Sequence, residues 1–145
     1  MSHCGLEGKL PSHILHMWSL ETLDLSFNSL NGVVPRDWEY LHMFGTSKLK
    51  HLDLSHNLLE GINIDKWANN PSLTRINLGS NRFSGTIPVE MFDSRPNLQR
   101  LHLNDNIFTG SLNSVSSIGR LEIFDVSNNL LIGSVPHLIM LSHGL

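Results

Sequence analysis

Five stretches of the chain place apolar residues at positions 1, 4, 6 and 11, an asparagine at 9 and a glycine at 13 of a common register. They begin at Leu20, Leu49, Leu73, Leu98 and Leu121, spaced 23 to 29 residues apart. The first reads Leu20, Leu23, Leu25, Asn28, Leu30, Gly32, and the third Leu73, Ile76, Leu78, Asn81, Phe83, Gly85. All 20 apolar slots are filled in a chain that is 40% hydrophobic. Chance would do this about once in 10^8 trials, so the pattern is an internal repeat. Positions 3 to 7 alternate, as in Thr22-Leu23-Asp24-Leu25-Ser26. Period two over five residues predicts a half-buried β-strand, with its polar set in solvent and the apolar pair at 4 and 6 inside.

After each strand the chain must turn inward, which leaves backbone groups without ladder partners. An asparagine at position 9 can offer both amide donors and a carbonyl acceptor to such a turn. Asn28, Asn57, Asn81, Asn106 and Asn129 are therefore expected to stack as a buried ladder shared between adjacent coils. The glycine at 13 suits unusual torsions or a close approach to the next coil. Coils repeated in this way predict a parallel sheet on one face and irregular or 3₁₀ segments on the other. The first copy is the longest, with extra residues around Leu41 to Lys48. Pro35 followed by Arg36-Asp37 predicts a helical turn there. Trp38 and Trp67 share position 19 and are expected to plug the side opposite the sheet, while Trp18 covers the end of the first copy.

The copies that run on into Gly32-Val33-Val34-Pro35, Gly85-Thr86-Ile87-Pro88 and Gly133-Ser134-Val135-Pro136 resemble the leucine-rich repeats of plant receptor-like proteins. That family's unit reads L-x-x-L-x-L-x-x-N-x-L-x-G-x-I-P over about 24 residues. The resemblance covers nearly the whole chain. It implies an α/β repeat fold: one right-handed solenoid over residues 1–145, with a parallel concave sheet of five or six strands and a 3₁₀, irregular or helical convex side. Cys4, Leu6, Gly8, Leu10 and Pro11 fit positions 9, 11, 13, 15 and 16 of an earlier, truncated copy within residues 1–19, which places the sole cysteine in the asparagine slot. Asn63-Ile64 and Leu112-Asn113 depart from the I-P element, so the lateral strand after the glycine is expected to change in the second and fourth copies. Family ectodomains are closed by cysteine-paired caps. No capping domain is readable here, which makes the chain resemble an excerpt of a longer array.

Composition mainly narrows the function. A net charge of -3 gives no general attraction to nucleic acid. Runs such as Leu138-Ile139-Met140-Leu141 are too short to span a bilayer. No nucleophile elbow, phosphate-binding glycine loop, HExxH or kinase signature occurs, so no enzyme is expected within these residues. Nine histidines invite a metal search, but His13 and His16 lie three apart and His51 and His56 five apart, which is poor ligand spacing. Neither a metal nor another cofactor is expected.

Arrays of this kind bind through the concave surface. Its position 3 column runs Thr22, His51, Arg75, Arg100, Ile123, and its position 5 column Asp24, Asp53, Asn77, His102, Asp125. The position 8 column runs Phe27, His56, Ser80, Asp105, Asn128. Phe27, His51, Asp53, His56, Arg75, Asn77, Arg100, His102 and Ile123 are the candidate ligand-binding residues. Arg75 and Arg100 fall side by side and repel unless an anion joins them. Asp53 or Asp105 can supply it internally; alternatively a partner's acidic side chain or terminal carboxylate does. The expected function is recognition of a protein or peptide ligand, with an acidic ligand as one option, by part of a receptor-like protein at the cell surface. An intracellular adaptor or secreted inhibitor of the same fold, or an excerpt of a receptor kinase with its catalytic domain beyond Leu145, are the alternatives.

Overall fold

The computed structural model describes residues 1–16, 19–36, 38, 48–61, 71–88, 92, 97–113, 115, 118 and 120–134. Among the described residues, ten short strands alternate between two sides of a coiled chain: β1 (Glu7–Lys9), β2 (Thr22–Asp24), β3 (Ser29–Val33), β4 (His51–Asp53), β5 (Leu58–Glu60), β6 (Arg75–Asn77), β7 (Ser84–Thr86), β8 (Arg100–His102), β9 (Ile107–Thr109) and β10 (Ile123–Asp125). The even-numbered strands form one parallel sheet in the order β10-β8-β6-β4-β2. Each holds positions 3 to 5 of its repeat, and like positions pair: His51 with Arg75, Arg75 with Arg100, Arg100 with Ile123. The alternation read from sequence therefore becomes columns of like-numbered residues running across the strands. Position 4 is buried throughout, while 3 and 5 are exposed or half-buried.

The odd-numbered strands form a second, lateral set with a different register. Here position 12 of one coil faces position 10 of the next, as in Glu7 with Ser29 and Asn31 with Leu58. Among the described residues, the set splits into β1-β3-β5 and β7-β9, linked by the bridge Glu60–Arg82. The break falls in the second copy, where β5 stops one residue before Gly61. Asn63 and Ile64 lie outside the described residues. In the fourth copy Leu112 is buried in the isoleucine slot, and Ser111 bridges to Ile132.

The core is the set of apolar register positions. Leu52, Leu54, Leu59, Ile76, Leu78, Phe83, Leu101, Leu103 and Phe108 are 0–2% exposed. Burying each such side chain contributes about 1.5–3 kcal/mol, so stacked coils are stabilised mainly by these columns. On the side opposite the concave sheet the chain makes 3₁₀ turns: Ser12–His16, a Trp38 amide donating to the Pro35 carbonyl (3.1 Å) and a Leu121 amide to that of Ile118 (3.1 Å). Trp38 is 1% exposed, a core plug. The insertion from residue 41 to 47, together with Trp18 and Trp67, lies outside the described residues.

The asparagine ladder ties the coils together, but only Asn57 and Asn106 are buried, while Asn28, Asn81 and Asn129 are half-buried. Asn57 Nδ2 donates to the carbonyls of Leu54 and Ser55 in its own coil and of Leu25 in the preceding one, while its Oδ1 accepts the Leu30 amide. Asn81, Asn106 and Asn129 repeat the arrangement, with Oδ1 accepting from Leu59, Phe83 and Phe108. Asn28 takes the amides of Cys4 and Leu6. In the asparagine slot of the truncated copy, the exposed Cys4 keeps one analogous bond, its Sγ donating to the Ser2 carbonyl at 3.4 Å.

Two backbone features had no clear signature. Position 8 is left-handed in every described coil, at φ 53–55° for His3, Phe27, His56, Ser80, Asp105 and Asn128. Such torsions cost a residue with a Cβ roughly 1–2 kcal/mol, so the tight turn into the asparagine is strained. Gly79, at position 7, leaves room for the next coil: a Cβ there would sit 2.7 Å from Asn104 Oδ1.

Candidate functional site

The concave strands carry a hollow of about 290 Å³. Its polar lining comes from adjacent columns: Thr22, His51, Arg75 and Arg100 at position 3, and Asp24, Asp53, Asn77 and His102 at position 5. Of the candidate residues, His51, Asp53, Arg75, Asn77, Arg100 and His102 are thus brought together. Phe27, His56 and Ile123 are not among its lining. Phe27 and His56 stand beyond it on the position 8 turns, and Ile123 is half-buried beside Arg100 at the end of the sheet. A second groove, of about 330 Å³, runs along the starting edge of the same strands between Lys50 and Arg120. Its position 2 residues Lys50, Thr74 and Gln99 precede the alternating stretch and so belong to none of the columns assigned from sequence.

The charge balance of the hollow is decided by how its carboxylates are used. Asp53 Oδ1 accepts from the Ser55 amide (2.9 Å) and hydroxyl (2.6 Å), while Oδ2 accepts from Asn77 Nδ2 (3.0 Å). Asp105 is tied to Asn104 and Asn128 instead (2.6 and 2.7 Å). Among the described residues, the ion pairs are Lys50–Glu21 and Arg82–Glu60, neither involving Arg75 or Arg100. Arg100 Nε is buried without a hydrogen-bond partner among them. Internal neutralisation of the arginine pair by Asp53 or Asp105 is therefore not what the described residues form. Two cations on adjacent strands, roughly 5 Å apart at the backbone, repel by on the order of 1–3 kcal/mol depending on solvent exposure. An arriving anion removes that repulsion and gains charge-assisted hydrogen bonds.

Asp24 shows what the position 5 acids do. Partial burial pushes its carboxyl up, but donation from the Ser26 hydroxyl (2.7 Å) and amide (3.0 Å), helped by the charges of the N-terminus and His3, holds it below its ordinary value of 3.8. A carboxyl lowered on folding stabilises the fold above that value, and the contribution is lost as pH falls through the folded pKa. Asp24→Asn is thus expected to flatten the fall in melting temperature below about pH 4. Melting curves at pH 5, 4 and 3 check this; an unchanged slope would count against the Ser26 bonds.

The sequence matches known proteins over most of its length. Models of the leucine-rich repeat match residues 19–41 and 41–83. Receptor-like protein 7 of Arabidopsis thaliana is 35% identical over 127 residues, covering 87% of this chain but 12% of that protein. Among solved structures, the plant peptide hormone receptor RGFR1 in complex with RGF2 superposes with a TM-score of 0.81 at 31% identity, over 94% of this chain and 21% of that one. The BIR2 ectodomain from Arabidopsis thaliana gives 0.74 at 31% identity, over 91% of this chain and 67% of that one. Among the described residues, no helix is long and apolar enough to cross a membrane.

Proposed function

Because the chain belongs to the leucine-rich repeat family of the plant receptor-like type, we propose that it forms part of a ligand-recognition surface of a receptor-like protein and binds a protein or peptide through its concave face. The relatives support this reading through the plant peptide hormone receptor RGFR1, solved in complex with RGF2. The chain spans 12% of the length of the receptor-like protein it matches. The observation that carries the proposal is the pairing of Arg75 with Arg100 across β6 and β8, without a counter-ion among the described residues. The fitting ligand group is an acidic side chain or a terminal carboxylate, which the two guanidinium forks can hold in bidentate fashion. His51 and Asn77 add donors on the same strands as Asp53 and Arg75, and His102 adjoins Arg100. The reading places the surface outside the cell, on a protein anchored elsewhere in its sequence.

Exposed charge pairs are screened by salt. Affinity of the full-length protein for its natural partner is therefore expected to fall several-fold between 0.05 and 0.5 M salt. A salt-independent affinity would show that the arginine pair does not meet an anion.

A further inference from the structure

The position 8 column holds an unusual run of side chains. The rings of His3, Phe27 and His56 stack, with centroids 4.2 and 4.0 Å apart and planes inclined by 13° and 15°. The shared left-handed turn sends these side chains off the coil edge in the same direction. Hydrogen bonds between neighbouring coils, donated by the backbone amide of Asn57 to the Ser80 carbonyl (3.2 Å) and by that of Asn81 to the Asp105 carbonyl (3.2 Å), maintain the coil spacing through this column. Where the next ring would fall stands Ser80, too short to cover an imidazole, so the outer face of the exposed His56 is left open.

One coil further is Asp105. Its carboxylate accepts from Asn128 and Asn104, and these donations hold its pKa low. It is exposed and forms no ion pair with a described residue. The result is an open slot about two strand spacings wide, roughly 10 Å between backbones. An aromatic plane forms one wall, a hydroxyl the floor and an ionised carboxylate the other wall.

We infer that this slot receives an arginine side chain of a protein partner, its guanidinium laid on the open face of His56 and its charge facing Asp105. A guanidinium is planar, weakly hydrated and cationic, so it stacks on a ring, donates to the Ser80 hydroxyl and neutralises the carboxylate at once. A lysine ammonium has no plane to stack and holds its water more strongly. An aromatic side chain would stack but leave Asp105 without a counter-charge. The slot lies at the far end of the strands from the Arg75–Arg100 column and does not depend on that pair. A partner using both would carry an acidic and a basic group on the two sides of one binding segment.

The probe is N-acetyl-arginine amide, titrated into the isotopically labelled chain and followed by NMR. The His56 ring and the Ser80 and Asp105 amides are expected to shift saturably. N-acetyl-lysine amide should bind about tenfold more weakly. Asp105→Asn should weaken the arginine response to a similar extent, and His56→Asn, which tolerates the left-handed turn without a ring, should remove it. Spectra of both variants before titration show whether the coils remain intact. A response of equal strength to the lysine probe, or a stronger one to N-acetyl-tyrosine amide, would overturn the guanidinium assignment. Absence of any saturable shift, or its persistence in His56→Asn, would overturn the slot itself.

Discussion

Replacing Asn57 by alanine is expected to cost about 3 kcal/mol of folding stability. The side chain is 6% exposed and joins two coils through four hydrogen bonds. Alanine leaves the Leu30 amide and the carbonyls of Leu25 and Leu54 buried with less satisfaction, and each such loss costs about 1–3 kcal/mol before relaxation. Since coils contact only their neighbours, the damage should centre on the first and second copies. Asn57→Cys should recover part of the loss, because Cys4 in the same slot keeps one of the asparagine's bonds. Asn129→Ala, at a half-buried site, should cost less than Asn57→Ala. Urea unfolding of the three variants checks the ranking, and a loss below about 0.5 kcal/mol for Asn57→Ala would contradict a ladder role.

The second large effect concerns binding. Reversing both concave arginines, Arg75→Glu with Arg100→Glu, is expected to weaken the natural partner of the full-length protein by at least about 100-fold, roughly 3 kcal/mol. Part of this is loss of the charge-assisted hydrogen bonds, and part is repulsion between the new carboxylates and the ligand's anion. Both positions lie on short strands whose buried neighbours, Ile76 and Leu101, are untouched, so the fold should survive. Calorimetry on the variant measures the change; an affinity within a factor of about three of the wild type would remove the pair from the binding surface.

The strands and core were legible because a leucine at 4 and 6 has one way to be buried, and the register repeats it five times. The asparagine ladder followed from the same logic, as did the place of Cys4. The position 8 turn was not legible: left-handed torsions favour glycine, asparagine or aspartate, yet phenylalanine, serine and histidine occupy several of these turns. Nor could the two-residue stagger of the lateral strands be read, since exposed positions 10 and 12 hold Ser29, Leu58, Arg82 and Glu60 with no common chemistry.

In the candidate site, the arginine column was readable from the register alone, because side chains at position 3 face solvent on every coil. What could not be read was whether the acids would reach it. Asp53 is held by Ser55 two residues on, a short-range bond that wins over reaching an arginine on the next strand. Asp-x-Ser at positions 5 to 7 is visible in the sequence at Asp24, Asp53 and Asp125, and it is the signal that such acids are already engaged. Phe27 and His56 were grouped with the concave columns by counting, whereas the turn at position 8 carries them to a separate ring stack.

The most direct measurement of an anion-receiving arginine pair is a titration of the labelled chain with triglutamate, followed at the arginine Nε–H resonances. Arg75 and Arg100 are expected to shift first and saturably, ahead of Arg36, Arg82, Arg95 and Arg120, with Arg100 moving most because its Nε lacks a hydrogen-bond partner among the described residues. A uniform shift of all six arginines, or none at Arg75 and Arg100, would contradict a specific concave anion site.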